Sequence, residues 1–285
     1  AGGMENMSQA PYYLMDARYG MRIGHYKVTD SLIQDGLWDP YVDMHMGNCA
    51  EVLATEQNYS REEQDKFAVE SYRRSLEAVK KGYFREEITS IKVPQREGPP
   101  IIIDTDEEPG RGKLDKIDKM QSAFEKEGTI TAANASTIND GAAAVVVMSV
   151  EKSVEMGIQP ICKIITHASV AQEPLYFTTA PGKAISKVLD KSNFSIHDID
   201  LFEINEAFSN VVLATMREHN IPHEKVNVHG GAVSLGHPIG ASGTRILVTL
   251  ISALKQKNKK LGLATLCIGG GEAVAVIIEM NSGNN

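Results

Sequence analysis

At 285 residues the chain is long enough for two compact units, each with a sizeable core. Hydrophobic residues at 42% and charged residues at 23% are ordinary for a globular protein. A formal net charge of −8 argues against a nucleic-acid partner, since phosphate binding needs a basic face.

Residues 8–138 are heterogeneous, with long polar loops and one clear helix. That helix opens with a capping box, Ser60-Arg61-Glu62-Glu63, carries Phe67, Ala68, Tyr72, Leu76 and Val79 at helical spacing, and stops at Gly82. Ile101-Ile102-Ile103 reads as a strand, and 104–116 as a charged loop. From Gly141 the texture changes. Residues 142–148, Ala-Ala-Ala-Val-Val-Val-Met, predict a strand buried on both faces. A helix follows from Pro181 with Ala184, Ile185, Val188 and Leu189 on one face. Strand Leu201–Ile204 leads to a helix through Phe208, Val212 and Met216. A short strand at Val226–Val228, a Gly-rich loop, a helix over 241–254 and strands at 263–268 and 273–278 complete the order. Strands alternating with helices imply an α/β layered unit. The stretch Lys255-Gln256-Lys257-Asn258-Lys259-Lys260 falls where a helix ends and reads as a solvated, dipole-favoured last turn. No apolar run approaches the roughly 18 residues of a membrane span.

Three motifs carry chemistry. Cys267 follows an apolar strand and precedes Gly269-Gly270-Gly271, whose N–H groups are suited to holding an oxyanion. A core cysteine is the plain alternative; as a base on carbon or sulfur, its thiol would need its pKa of about 8.5 lowered. His237 sits in the glycine-rich loop 230–243, which matches neither G-x-G-x-x-G nor the P-loop pattern. A histidine fixed in such a loop suits general-base work near neutral pH, the alternative being an anion-cradling loop with an incidental histidine. Asn205 ends a strand where α/β enzymes place groups that face ligands; it is either a helix cap or a holder of water against a developing enolate oxygen. The odd, unpaired cysteines Cys49, Cys162 and Cys267 suggest neither a disulfide framework nor a zinc site, and imply a reducing compartment.

Together, Asn205-Glu206-Ala207-Phe208, Gly236-His237-Pro238-Ile239-Gly240 and Cys267-Ile268-Gly269-Gly270-Gly271 resemble the motifs of the thiolase family, the coenzyme A dependent enzymes that make or cleave 3-ketoacyl thioesters. His45-Met46-Gly47 and Asn134–Gly141 resemble its substrate-facing loops, so the likeness runs along essentially the whole chain. It implies a thiolase fold, an α-β-α-β-α arrangement of two similar halves plus an inserted loop domain. On that basis 1–7 and 139–158 are expected to be a remnant of a mostly missing first half, 8–138 the coenzyme A loop domain, and 159–285 the C-terminal half. The resemblance also places an acyl-accepting cysteine upstream of the segment that here begins Ala1-Gly2-Gly3, leaving this chain inactive alone.

By the same resemblance Cys267 exchanges a proton with the substrate α-carbon or incoming thiol. His237 activates the nucleophile, Asn205 holds a water in one oxyanion hole, and the Gly269 N–H contributes to a second. His45, Met46, Ser136 and Phe124 are assigned to the coenzyme A pocket. Arg111 or Lys113 stands in as the cation facing the nucleotide phosphates, and Phe177 lies at the acyl end, either restricting chain length or plugging the core. No cofactor is required beyond coenzyme A as substrate. A potassium site is implied at Tyr72 with carbonyls of Ala132, Ala133, Ala135 and Val233, against the alternative that Tyr72 is core. Cys49 is expected to be a buried structural thiol. Acyl-CoA, coenzyme A and further copies of the chain, as a dimer or tetramer, are the expected partners, with no nucleic acid or membrane. The compartment expected is the cytoplasm, or the mitochondrion if a transit peptide was lost. Activity on acetyl-CoA and acetoacetyl-CoA leads; longer-chain 3-ketoacyl-CoA thiolysis and non-catalytic acyl-CoA or lipid binding are the alternatives.

Overall fold

Strands far apart in the sequence meet at each end of the long loop segment. In the computed structural model, which describes residues 1–281, β1 (Gly2–Asn6) runs antiparallel to β2 (Asp140–Ala144), Gly2 opposite Ala144 and Asn6 opposite Asp140. The second sheet has four strands: β3 (Cys162–Ala171), β4 (Leu201–Ile204), β5 (Leu261–Ile268) and β6 (Glu272–Met280). Their order is β4-β5-β6-β3, with β4 parallel to β5 and the other pairs antiparallel.

Successive strand side chains point to opposite faces, and here both faces are apolar. Phe202, Ile204, Leu263, Ala273, Ala275 and Ile277 pack under α3 (Ala180–Ser192) and α4 (Ser209–His219). Leu201, Ala264, Ile278 and Met280 pack under α5 (Ile239–Gln256), through Ile246, Leu250 and Leu254. The far side of α5 lies on β1 and β2. The layers therefore run α3, four-stranded sheet, α5, two-stranded sheet. Helix α1 (Met46–Glu56) and α2 (Arg61–Lys81) come from the loop segment and brace the C-terminal ends of β4 and β5 through α4 and the glycine-rich loop.

Helix α2 forms as its sequence predicts. Ser60 Oγ accepts from the Glu63 N–H, the Glu63 carboxylate accepts from the Ser60 N–H, and Gly82 closes the helix at φ 71°. The strand expected at 142–148 ends at Ala144, and it is not buried on both faces: Val146 is 87% exposed. Among the described residues β2 has β1 as its one strand neighbour and α5 on one side. Nor do Val226–Val228 form a strand. Val226 bridges Phe202, but Asn227 turns to φ 46°, and its side chain takes the place of a neighbouring strand, accepting from the Ile204 N–H and donating to the Ile204 carbonyl, both at 2.8 Å. No helix among the described residues is long and apolar enough to cross a membrane.

Candidate active site

Asn205 is the first residue beyond β4, its N–H donating to the Thr265 carbonyl of β5 at 3.0 Å. It does not cap a helix: α4 begins at Ser209 with Phe208 at its N-cap. The buried side chain instead turns to the glycine-rich loop, Nδ2 lying 3.2 Å from His237 Nε2, while Oδ1 has no protein partner among the described residues. On the other side of the imidazole, Nδ1 lies 2.6 Å from Ser242 Oγ, in the first turn of α5. The Ser242 hydroxyl donates to the Pro238 carbonyl at 2.9 Å, so its oxygen is left to accept from Nδ1–H. The proton thus sits on Nδ1 and the lone pair on Nε2. Desolvation, then the nearby Arg245 guanidinium, pulls the His237 pKa down to about 4, so the ring is a neutral base at pH 7. Ser242 was not singled out from the sequence; its place five residues after His237, on the first turn of the following helix, was the available signal.

Cys267 occupies the end of β5, opposite Ala273, where the chain turns through Gly269, Gly270 and Gly271 into β6. Only glycine fits at 271: φ is +85°, and a Cβ there would run into the Gln172 carbonyl. The thiol packs with Met46, Ala135, Phe177, Ala207 and Phe208, and burial pushes its pKa up to about 12. As it stands Cys267 is a protonated thiol, a proton donor before it is a base. Cys49, in α1, lies fully buried in the same cluster; burial, then Asp39, raises it to about 11, as suits a structural thiol.

The substrate-loop residues reach this place by several routes. His45 caps α1, its Nδ1 accepting from the Gly47 N–H at 3.0 Å, and stacks on Phe124 with ring centroids 4.8 Å apart. Met46 joins the Cys267 cluster, and a Cβ on Gly269 would lie 3.7 Å from its Cε. Ser136 donates its N–H to the Ala207 carbonyl at 3.0 Å, and the His237 N–H donates to the Thr137 carbonyl at 3.2 Å, so residues 134–141 hold the Asn205 and His237 loops together. Phe177, 3% exposed, belongs to the same cluster. Arg111 does not: its exposed guanidinium pairs with Glu107 and Glu108 of its own short helix. Of the five residues expected around potassium, Tyr72 and Val233 pack together, whereas the turn carrying Ala132, Ala133 and Ala135 meets α2 two helical turns earlier, where Asn134 Nδ2 donates to Asp65 at 2.9 Å.

Beneath these groups lies a second set that sequence spacing did not reveal. Glu206 is fully buried and accepts from Ser71 Oγ at 2.7 Å, the Val233 N–H at 3.0 Å and Asn227 Nδ2 at 2.8 Å, tying the Asn205 loop to α2 and the glycine-rich loop. Hydrogen bonds and packing thus tie the five motifs together around the ends of β4 and β5, with the proton-free Nε2 of His237 at Asn205 and the Cys267 thiol among apolar walls.

Two sequence families match. The one described as Thiolase, N-terminal domain covers residues 1–151, and Thiolase, C-terminal domain covers 158–280. The chain belongs to the thiolase family. The first match corrects the expectation of a mostly missing first half, because it spans residues 1–151. An acetyl-CoA acetyltransferase of Pseudomonas aeruginosa is 49% identical over 279 residues, 98% of this chain and 71% of that protein. A thiolase from Ascaris suum, solved in complex with coenzyme A, superposes with a TM-score of 0.92 at 43% identity, covering 99% of this chain and 71% of that one. Human mitochondrial 3-ketoacyl-CoA thiolase gives 0.94 at 38% identity, with the same coverage.

Proposed function

We propose that this chain is a thiolase-type acyltransferase acting on acetyl-CoA and acetoacetyl-CoA, by condensation or the reverse thiolysis. The observation that carries the proposal is the imidazole of His237, held from both sides with its lone pair on Nε2. A nitrogen in that state takes the proton of an acyl-accepting cysteine thiol at neutral pH; in thiolysis that sulfur attacks the 3-keto carbon, the bond from it to the α-carbon breaks, the acetyl group stays on the sulfur until the thiol of coenzyme A takes it, and the imidazolium donates toward the carbonyl oxygen. Cys267, a protonated thiol as it stands, gives its proton to the α-carbon in thiolysis and takes one from it in condensation. The acceptor Oδ1 of Asn205 holds a water aimed at the enolate oxygen, and the N–H of Gly269 meets the second carbonyl oxygen; each such donor is worth roughly 3–4 kcal/mol of barrier.

His45, Met46, Ser136 and Phe124 take the pantetheine and acyl portions of the substrate in this scheme, and Arg111 or Lys113 meets the nucleotide phosphates, Arg111 by leaving Glu107 and Glu108. The Ascaris suum complex with coenzyme A supports the ligand class. The acetyltransferase relatives favour short acyl groups, while the likeness to human 3-ketoacyl-CoA thiolase supports longer chains as a second reading. Potassium is proposed at Tyr72 and Val233; burial, first, then Glu108 and Glu206, push the phenol up to about 12, so Tyr72 would offer a neutral oxygen. A higher melting temperature in potassium than in sodium chloride would support that site, and equal ones would remove it. The free thiols agree with a reducing compartment such as the cytoplasm.

The test follows acetyl-CoA release from acetoacetyl-CoA and coenzyme A, alongside solvent deuterium entering the α-carbon of bound acetyl-CoA. Thiolysis or exchange abolished by Cys267→Ala supports the proposal. Binding of acyl-CoA with neither reaction would reduce the protein to an acyl-CoA binder.

A further inference from the structure

Arg245 lies one turn beyond Ser242 on α5, and its guanidinium stands 3.7 Å from the carboxylate of Glu203, two residues before Asn205 on β4. Neither oxygen of Glu203 and none of the three guanidinium nitrogens has a hydrogen-bond partner among the described residues. Each of these groups therefore answers chiefly to the other, across the gap between the two elements that grip His237.

We propose that Arg245 is a positioning residue for His237: its contact with Glu203 clamps the end of β4 to the first turns of α5, so that Asn205 and Ser242 hold the imidazole from both sides. The proposal rests on His237 acting as the base, but its geometry stands without it. Moving α5 away from β4 would draw Ser242 off Nδ1 and Asn205 off Nε2 together. The positive charge has a second effect, since it opposes protonation of His237.

The other charged groups facing Arg245 come from different elements. Glu87, after α2, accepts from Thr249 Oγ1 of α5 at 3.2 Å, and Asp106 comes from the loop beyond the hairpin formed by 91–93 and 101–103. Glu206 is coupled through space to both Glu203 and Arg245. Burial pushes all four carboxyls up, Glu203 to about 8 against the pull of Arg245, so at the low pH where His237 titrates Glu203 is already neutral.

The experiment is a heteronuclear NMR titration of the His237 ring in the intact chain, which needs no turnover and so separates failure here from failure of the thiolase proposal. Arg245→Met is expected to raise the His237 midpoint by about one pH unit and to mix the Nδ1–H and Nε2–H forms. Arg245→Lys, which keeps the charge but not the guanidinium's reach, should leave the midpoint low while loosening the tautomer preference. Glu203→Ala, which removes the partner of Arg245 on β4, should mix the two tautomers, and a single Nδ1–H form in that variant would show that Glu203 is no part of the clamp. A single Nδ1–H form and a wild-type midpoint in both arginine variants would overturn the proposal. Should Arg245→Met fail to fold, the lysine variant alone decides through its tautomer ratio.

Discussion

Asn205 and His237 meet across the mouth of the sheet, amide Nδ2 to imidazole Nε2 at 3.2 Å, and that donor can only be accepted if Nε2 bears no proton. Ser242, on the opposite edge of the ring, demands the same tautomer. Two segments more than thirty residues apart thus fix one protonation state, which neither residue type would reveal alone.

Ser242→Ala therefore should weaken catalysis without weakening the fold. Loss of the acceptor frees Nδ1, and the base-dependent rate is expected to fall roughly 10- to 100-fold, part of the 10²–10⁴ that a general base contributes. The thiolysis rate and the nitrogen shifts of His237 would show it together; a single Nδ1–H form persisting in the variant would show that Ser242 does not set the tautomer.

Cys49 and Cys162 should carry no acyl group. Burial raises both thiols, and Cys162 sits opposite Met280, at the other end of the sheet from Cys267. Peptide mass mapping after incubation with acetoacetyl-CoA tests this. An acyl adduct on either would require a nucleophile that this geometry does not support.

Glu203→Gln should change how stability depends on pH. The folded carboxyl, raised by burial to about 8, holds a proton that the unfolded chain releases near its ordinary value of 4.5. Wild-type stability from this group is accordingly full below about 4.5 and lost as pH rises through 8. Relative to wild type, the glutamine variant should gain in urea midpoint between pH 5 and pH 8. A difference that stays constant between pH 5 and pH 8 would mean that Arg245 keeps Glu203 ionised.

Helix α2 offers a plainer test. Ser60→Ala removes one half of the capping box and should cost about 1 kcal/mol in urea denaturation. Because Asp65, Ser71 and Tyr72 sit further along α2, the activity of the folded protein should stay near wild type. A loss of activity larger than the loss of folded protein would show that the cap also sets the position of Ser71 beneath Glu206.

The second half of the chain was legible because its strands and helices alternate and its apolar residues follow periods of two and 3.6. The capping box at Ser60 and the reactive residues at strand ends were equally local signals. What escaped notice was set by side chains arriving from elsewhere. Asn227 interrupts a would-be strand because it bonds the backbone of Ile204, and 142–148 looked doubly buried because small apolar residues carry no mark of how many strands stand beside them. Ser242, Glu206 and Arg245 gain their roles from partners 5, 135 and 42 positions away, on other turns or other elements.

Phe177 is where a limit on acyl length can be tested. It is 3% exposed, on the short turn between β3 and α3, and packs in the cluster that holds Cys267, Met46 and Phe208. The ring is part of the core, so Phe177→Ala should cost about 3–5 kcal/mol of stability whatever its role in specificity. Phe177→Leu separates the two roles, because it keeps most of the apolar contact while removing the far edge of the ring. If the ring limits chain length, the preference for acetoacetyl-CoA over ketodecanoyl-CoA should narrow by about tenfold, about 1.4 kcal/mol of transition-state discrimination, in both variants. The ratio of kcat/KM values for the two substrates is the measurement. If that ratio holds while both variants lose stability, Phe177 is a core plug, and chain length is set elsewhere in the wall around Cys267.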